Sequence, residues 1–207
     1  MLEVFFAFVQ LISLIFIFSF HNFVRAYVAY LLGDDTPKRM GFLTLNPIAH
    51  IDLVGSIILP LIFILARSPL IIGWPRMVPI DYNRFRNHRR DAILLSLASI
   101  AAYFLIAFIS YLLFKLVVSL SLPDKIVIPL ASLFQYTTFI SVFFGFLNLF
   151  PIPPLDMGII VFLLFGKSMD EIQRHALIGG IVILFLFLMG FFSKLFEPVY
   201  SLLQRLF

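Results

Sequence analysis

VFFAFVQLISLIFIFSFHNFVRAYVAYLL, residues Val4–Leu32, carries no charge before Arg25, and its apolar run is interrupted by His21, Asn22 and Arg25. A helix over this stretch is longer than the ~20 residues that cross a ~30 Å hydrocarbon layer. His21 and Arg25 are one helical turn apart and share a face. A charge inside a membrane helix must find a partner, so that face is expected to point at protein rather than lipid. The rest of the chain is read outward from here.

Of the 207 residues, 62% are hydrophobic and only 13% charged, and 27 are Phe. A soluble domain of this size could not cover that much apolar surface with so few charges, so the chain is read as an integral membrane protein. The first segment ends in polar residues with no small-residue cleavage pattern, which favours a retained transmembrane helix over a signal peptide. With no cysteine there is neither a disulfide framework nor a thiolate metal site. The formal net charge of +4 suits basic cytoplasmic loops and does not argue for nucleic acid.

Charge-free runs mark further spans at Ala92–Phe114, Ile126–Leu155 and Ala176–Ser193. Leu53–Ala66 makes only ~21 Å of helix, short of a full crossing. Lys38 and Arg39 precede it, and Arg67, Arg76, Arg84, Arg86, Arg89 and Arg90 follow it. Cytoplasmic loops collect such charges, which puts both flanks on one side of the membrane. Leu53–Ala66 therefore reads as a re-entrant element, with Leu70–Trp74 as its returning limb. Met157–Gly166 reads as a short helix. Phe192–Phe207 sets Phe196, Val199, Leu202, Leu203 and Leu206 against Lys194, Glu197, Gln204 and Arg205, an amphipathic helix for the interface. Without repeats or linkers, residues 1–207 form one membrane domain, with a core near 4–160 and C-terminal helices over 161–207. The expected fold is an all-α polytopic membrane protein, with a short membrane-associated β element possible at Lys38–Leu45.

His21-Asn22-Phe23-Val24-Arg25 aligns with the zinc-protease pattern H-E-x-x-H, in which two His hold Zn²⁺ and the Glu deprotonates its water. Other pieces align with it in order: Gly33-Asp34, Leu43-Thr44-Leu45-Asn46-Pro47, His50-Ile51-Asp52 with Gly55, and Gly73-Trp74 before Val78-Pro79. Phe85-Arg86-Asn87 precedes Arg89-Arg90-Asp91, and Asn148-Leu149-Phe150-Pro151-Ile152-Pro153-Pro154-Leu155-Asp156 follows. Together, over residues 20–160, these resemble the short bacterial and archaeal branch of the site-2 protease family of zinc intramembrane metalloproteases.

In that family the first helix supplies two His ligands and a Glu base, and the Asp of a late N-x-x-P-x-x-x-x-D-G stretch supplies the third ligand. The resemblance places His21 at the first ligand and Asp156 at the third, with Asn22 at the base position and Arg25 at the second ligand. The family's G-P-x-x-N falls on Ser99-Ile100-Ala101-Ala102-Tyr103, and Met157 stands where Gly is usual. These departures all fall on the active centre. A catalytic zinc takes three protein ligands and an open position, whereas His21 and Asp156 make two. Arg cannot lose its proton to ligate, and Asn22 has no group to serve as a general base. His50 is a candidate substitute ligand, against a structural role in its loop.

The resemblance brings Asp156 beside the metal position and so beside Arg25. An Arg25–Asp156 ion pair would then replace the cross-link that Zn²⁺ makes, the alternative being Arg25 snorkelling to the interface. The Arg84–Arg90 cluster reads as a topology signal and headgroup contact rather than a partner site. Pro151, Pro153 and Pro154 free backbone carbonyls for a groove. Asn148 serves either that backbone or a bound segment. Lys38–Leu45 would receive a client by strand addition, as the family's strands are thought to do.

The function expected is a catalytically inactive site-2-protease-like protein of the cell membrane that binds transmembrane segments of client proteins, with no cofactor. One alternative is an active, atypical intramembrane protease that does hold zinc. The other is a small transporter or channel subunit with His21, Arg25 and Asp156 as its polar pathway.

Overall fold

The computed structural model describes residues 2–66 and 73–207. Its helices are α1 (Leu2–Leu31), α2 (Thr36–Arg39), α3 (Leu59–Leu65), α4 (His88–Ser119), α5 (Asp124–Leu147), α6 (Asp156–Leu164), α7 (Met169–Leu188) and α8 (Phe191–Gln204). α1, α4, α5 and α7 are long and apolar enough to cross a membrane. The chain is an all-α polytopic membrane protein. Ser13, Ser19, Ser99, Thr137 and Thr138 bond back to their own helix, Ser13 to Val9 O and Thr137 to Leu133 O at 2.9 and 2.8 Å. That leaves no polar group facing hydrocarbon unpaired at those positions.

α1, α4 and α5 pack on one another, and two apolar clusters hold them. One joins Leu14, Ile17 and Phe18 of α1 to Tyr103 and Ile106 of α4, Phe144 and Leu147 of α5, and Phe192 and Phe196 of α8. The other joins Ala29 of α1 to Ala92 and Leu95 of α4 and to Ile159 and Leu163 of α6. Residues 21–25 of α1, Ser99 of α4 and Asp156 of α6 fall between the clusters in each chain segment. A polar layer thus lies between apolar clusters, where its hydrogen bonds are strengthened by the low dielectric.

Several expectations need correction. No strand occurs among the described residues, so the β element at Lys38–Leu45 is absent. Thr36-Pro37 opens a helical turn, because Pro suits a first helical position, and Phe42 N then bonds Pro37 O at 2.9 Å. The run Ile126–Leu155 is not one helix: α5 stops at Leu147, and the prolines carry the chain to α6. Ala176–Ser193 is broken by Gly190 at φ 70, a left-handed conformation that glycine adopts freely. On α8, Phe192 and Phe196 pack into the core, while Leu202 and, just past the helix end, Leu206 of the apolar face stay exposed.

The short segment leaves at Leu53 as a π-helical turn, Leu53–Ile58, followed by α3. Its far end returns to its start, since Trp74 N donates to Gly55 O at 3.1 Å and Arg76 N to His50 O at 2.8 Å. A segment that dips and returns needs this meeting of its two ends. The expected limb Leu70–Trp74 lies outside the described residues up to 72, as does Arg67.

Candidate functional site

Arg25 reaches Asp156 from the second-to-last turn of α1. Its Nη1 donates to Asp156 Oδ1 at 2.6 Å and to Ser99 Oγ at 2.9 Å, and its Nη2 donates to Tyr82 OH at 3.4 Å. The side chains are 16% and 4% exposed, so the pair is shielded from solvent. Local sequence explains both positions. α1 has no Gly or Pro to bend it at residue 25, and Ala26 and Ala29, both fully buried, let its neighbours approach closely. Asp156 is the first residue of α6, where a carboxylate is favoured by the helix dipole.

Asn148 fastens that turn. Its O accepts from Met157 N at 3.0 Å, its Oδ1 from Asp156 N at 3.4 Å, and its Nδ2 donates to Phe144 O at 2.9 Å. The Asn148 side chain thus bonds backbone on either side of the proline loop rather than the loop's own carbonyls. Pro151 and Pro154 are exposed and Pro153 is buried. Gly158 lets α6 lie directly on Ile152 and Pro153, whose backbone atoms a Cβ there would meet.

His21 is buried, and neither ring nitrogen has a hydrogen-bond partner among the described residues. It stacks on Tyr103 with centroids 4.3 Å apart. Asn22, also buried, donates from Nδ2 to Arg76 O at 2.7 Å. His50 Nε2 contacts Thr44 O at 2.7 Å and its ring meets the Phe42 edge at 5.7 Å, while its Nδ1 has no partner among the described residues.

The roles of Ser99, Tyr103 and Tyr82 around Arg25 and His21 were not anticipated. A signal for two of them exists. Ser96, Ser99 and Tyr103, spaced three and four apart, form the one polar stripe on the α4 turns facing this layer.

The donor set does not fit a catalytic zinc. His21 and Asp156 supply two donors where such an ion takes three, and Asp156 is already engaged by a guanidinium. Among the described residues no group of three or more His, Cys, Asp or Glu could hold a metal ion.

Fold and site define a polytopic helical membrane protein with a buried ionic cross-link between its first span and the helix that follows the proline loop. The chain is similar to the Bacillus subtilis (strain 168) protein described as "Putative zinc metalloprotease YwhC", with 35% identity over 147 residues. The matched region is 70% of this chain and 64% of that relative, so the chain spans less than two thirds of the relative's length. No protein-family profile matches the chain, and no solved structure matches it.

Proposed function

We propose that this chain is a non-hydrolytic member of the site-2 protease family, resident in the cytoplasmic membrane, that binds transmembrane segments of client proteins. The observation carrying this is the 2.6 Å contact between Arg25 and Asp156. A fixed cation stands at the second-ligand position and holds the third-ligand carboxylate. Any metal entering between His21 and Asp156 would have to displace that charge. Asn22, at the base position, donates a hydrogen bond and has no proton to exchange near neutral pH. On this reading the client groove is walled by the proline loop, the polar layer and the short segment that returns past α1.

A second reading, an atypical zinc protease, is favoured by the name of the similar Bacillus protein and by the unpartnered nitrogens of His21. Metal analysis separates the two. Protein purified without added metal is expected to hold no stoichiometric zinc, and one zinc per chain would sink the proposal. The double change Asn22→Glu/Arg25→His is expected to create zinc binding on the same scaffold.

A further inference from the structure

Gly73–Ile80 forms no helix or strand of its own, yet its backbone is held on both sides. Trp74 N donates to Gly55 O at 3.1 Å, and Ser56 Oγ donates to Trp74 O at 2.9 Å. Arg76 N donates to His50 O at 2.8 Å, and Arg76 O accepts from Asn22 Nδ2 at 2.7 Å. The Arg76 guanidinium lies over the buried Phe42 ring, 5.3 Å from its centroid. Two glycines allow the close approach: a Cβ on Gly73 would sit 2.6 Å from Gly55 O, and one on Gly55 would enter the Trp74 indole. Backbone bonds to an extended segment are the way a groove receives a peptide strand.

We infer that Trp74–Met77 is an internal ligand of the site, a tethered strand seated where an unwound client backbone would be received, and that Asn22 is its latch. The inference rests on the client-binding reading above. It adds a ligand class, an extended backbone offering a carbonyl to Asn22, and a gate. The latch chemistry is specific to the residue present. An amide donates to a carbonyl, whereas a carboxylate at position 22 only accepts and would set oxygen against oxygen. The strand has to leave before Asn22 Nδ2, His50 O and Gly55 O can serve another chain.

The test uses the full chain in lipid nanodiscs, reading hydrogen exchange at the Trp74 and Arg76 amides. It also reads photocrosslinking to a synthetic leucine-rich transmembrane peptide with a Gly-Pro break and a benzophenone at the break. Asn22→Asp removes the donor at constant shape, and Asn22→Leu does so without adding charge. Both are expected to speed exchange at these amides about tenfold, as loss of one buried hydrogen bond would, with α4 amides unchanged. The chain has no cysteine, so a short bismaleimide can join Ile51→Cys to Met77→Cys and lock the strand, which is expected to lower capture several-fold. Unchanged exchange in both Asn22 variants would overturn the latch. Equal capture by locked and unlocked chains would overturn the gate while client binding stands. No capture by any form, with exchange still raised, would overturn client binding and the gate built on it and leave the latch, so the failures are distinguishable.

Discussion

His21 lies flat against Tyr103, with centroids 4.3 Å apart and planes 17° from parallel. The ring is 7% exposed, and its two nitrogens meet no partner among the described residues. It therefore packs as an aromatic disc that carries desolvated polar atoms. His21→Phe keeps the disc and removes those atoms. It is expected to raise stability by about 1 kcal/mol, seen as a Tm gain of a few degrees in detergent. A loss of ~2 kcal/mol would instead show that the nitrogens hold something the fold depends on.

The Arg25–Asp156 pair predicts strong non-additivity. Removing either partner leaves a shielded charge uncompensated, at roughly 3–5 kcal/mol, while removing both leaves none. Arg25→Ala and Asp156→Ala should each lower the melting temperature more than the double variant does. Simple addition of the two single losses would mean that the charges act independently.

Much of this fold is legible without coordinates, and the reason is physical. Charge-free runs near Val4, Ala92, Ile126 and Ala176 must become helices, because lipid satisfies no backbone group. Their ends are less legible. The run from Ile126 stays uncharged through Leu155, and proline alone does not mark the helix end, since Pro129 lies inside α5 and α5 stops at Leu147, ahead of Pro151. The strand expected at Lys38–Leu45 fails because β structure needs a partner edge, while Thr36-Pro37 needs only itself to turn. At the site, Arg25 and Asp156 could be brought together through the resemblance, whose register carries information across 131 positions. The bond from Asn22 to Arg76 spans 54 positions and has no such guide, since nothing local to either residue specifies the other.

Charge placement predicts sidedness. Ala49 precedes the short excursion, Met77 follows it, and Ser121 lies in the loop between α4 and α5. In the cysteine-free chain, single cysteines at 49 and 77 should react with a membrane-impermeant maleimide from the same side, and one at 121 from the opposite side. Labelling of 49 and 77 from opposite sides would make the segment a full crossing and remove the re-entrant reading.

Adjacent glycines on α7 offer the sharpest test of how the proline loop is seated. A Cβ on Gly179 would collide with Pro153 O, whereas one on Gly180 meets nothing within 4 Å. Both positions are helical, so both gain the same propensity on substitution, about 0.5–1 kcal/mol from Gly to Ala. Gly180→Ala should show that gain. Gly179→Ala should lose it and cost about 1–3 kcal/mol more, because backbone must yield to an inserted methyl. The displaced element is the loop that carries Asp156, so Gly179→Ala should also shrink the Arg25–Asp156 coupling measured in the double-variant cycle. Gly180→Ala should leave that coupling unchanged. Equal melts for the two variants would mean that α7 does not rest on Pro153, and that the loop is seated from the α6 side by Gly158 alone.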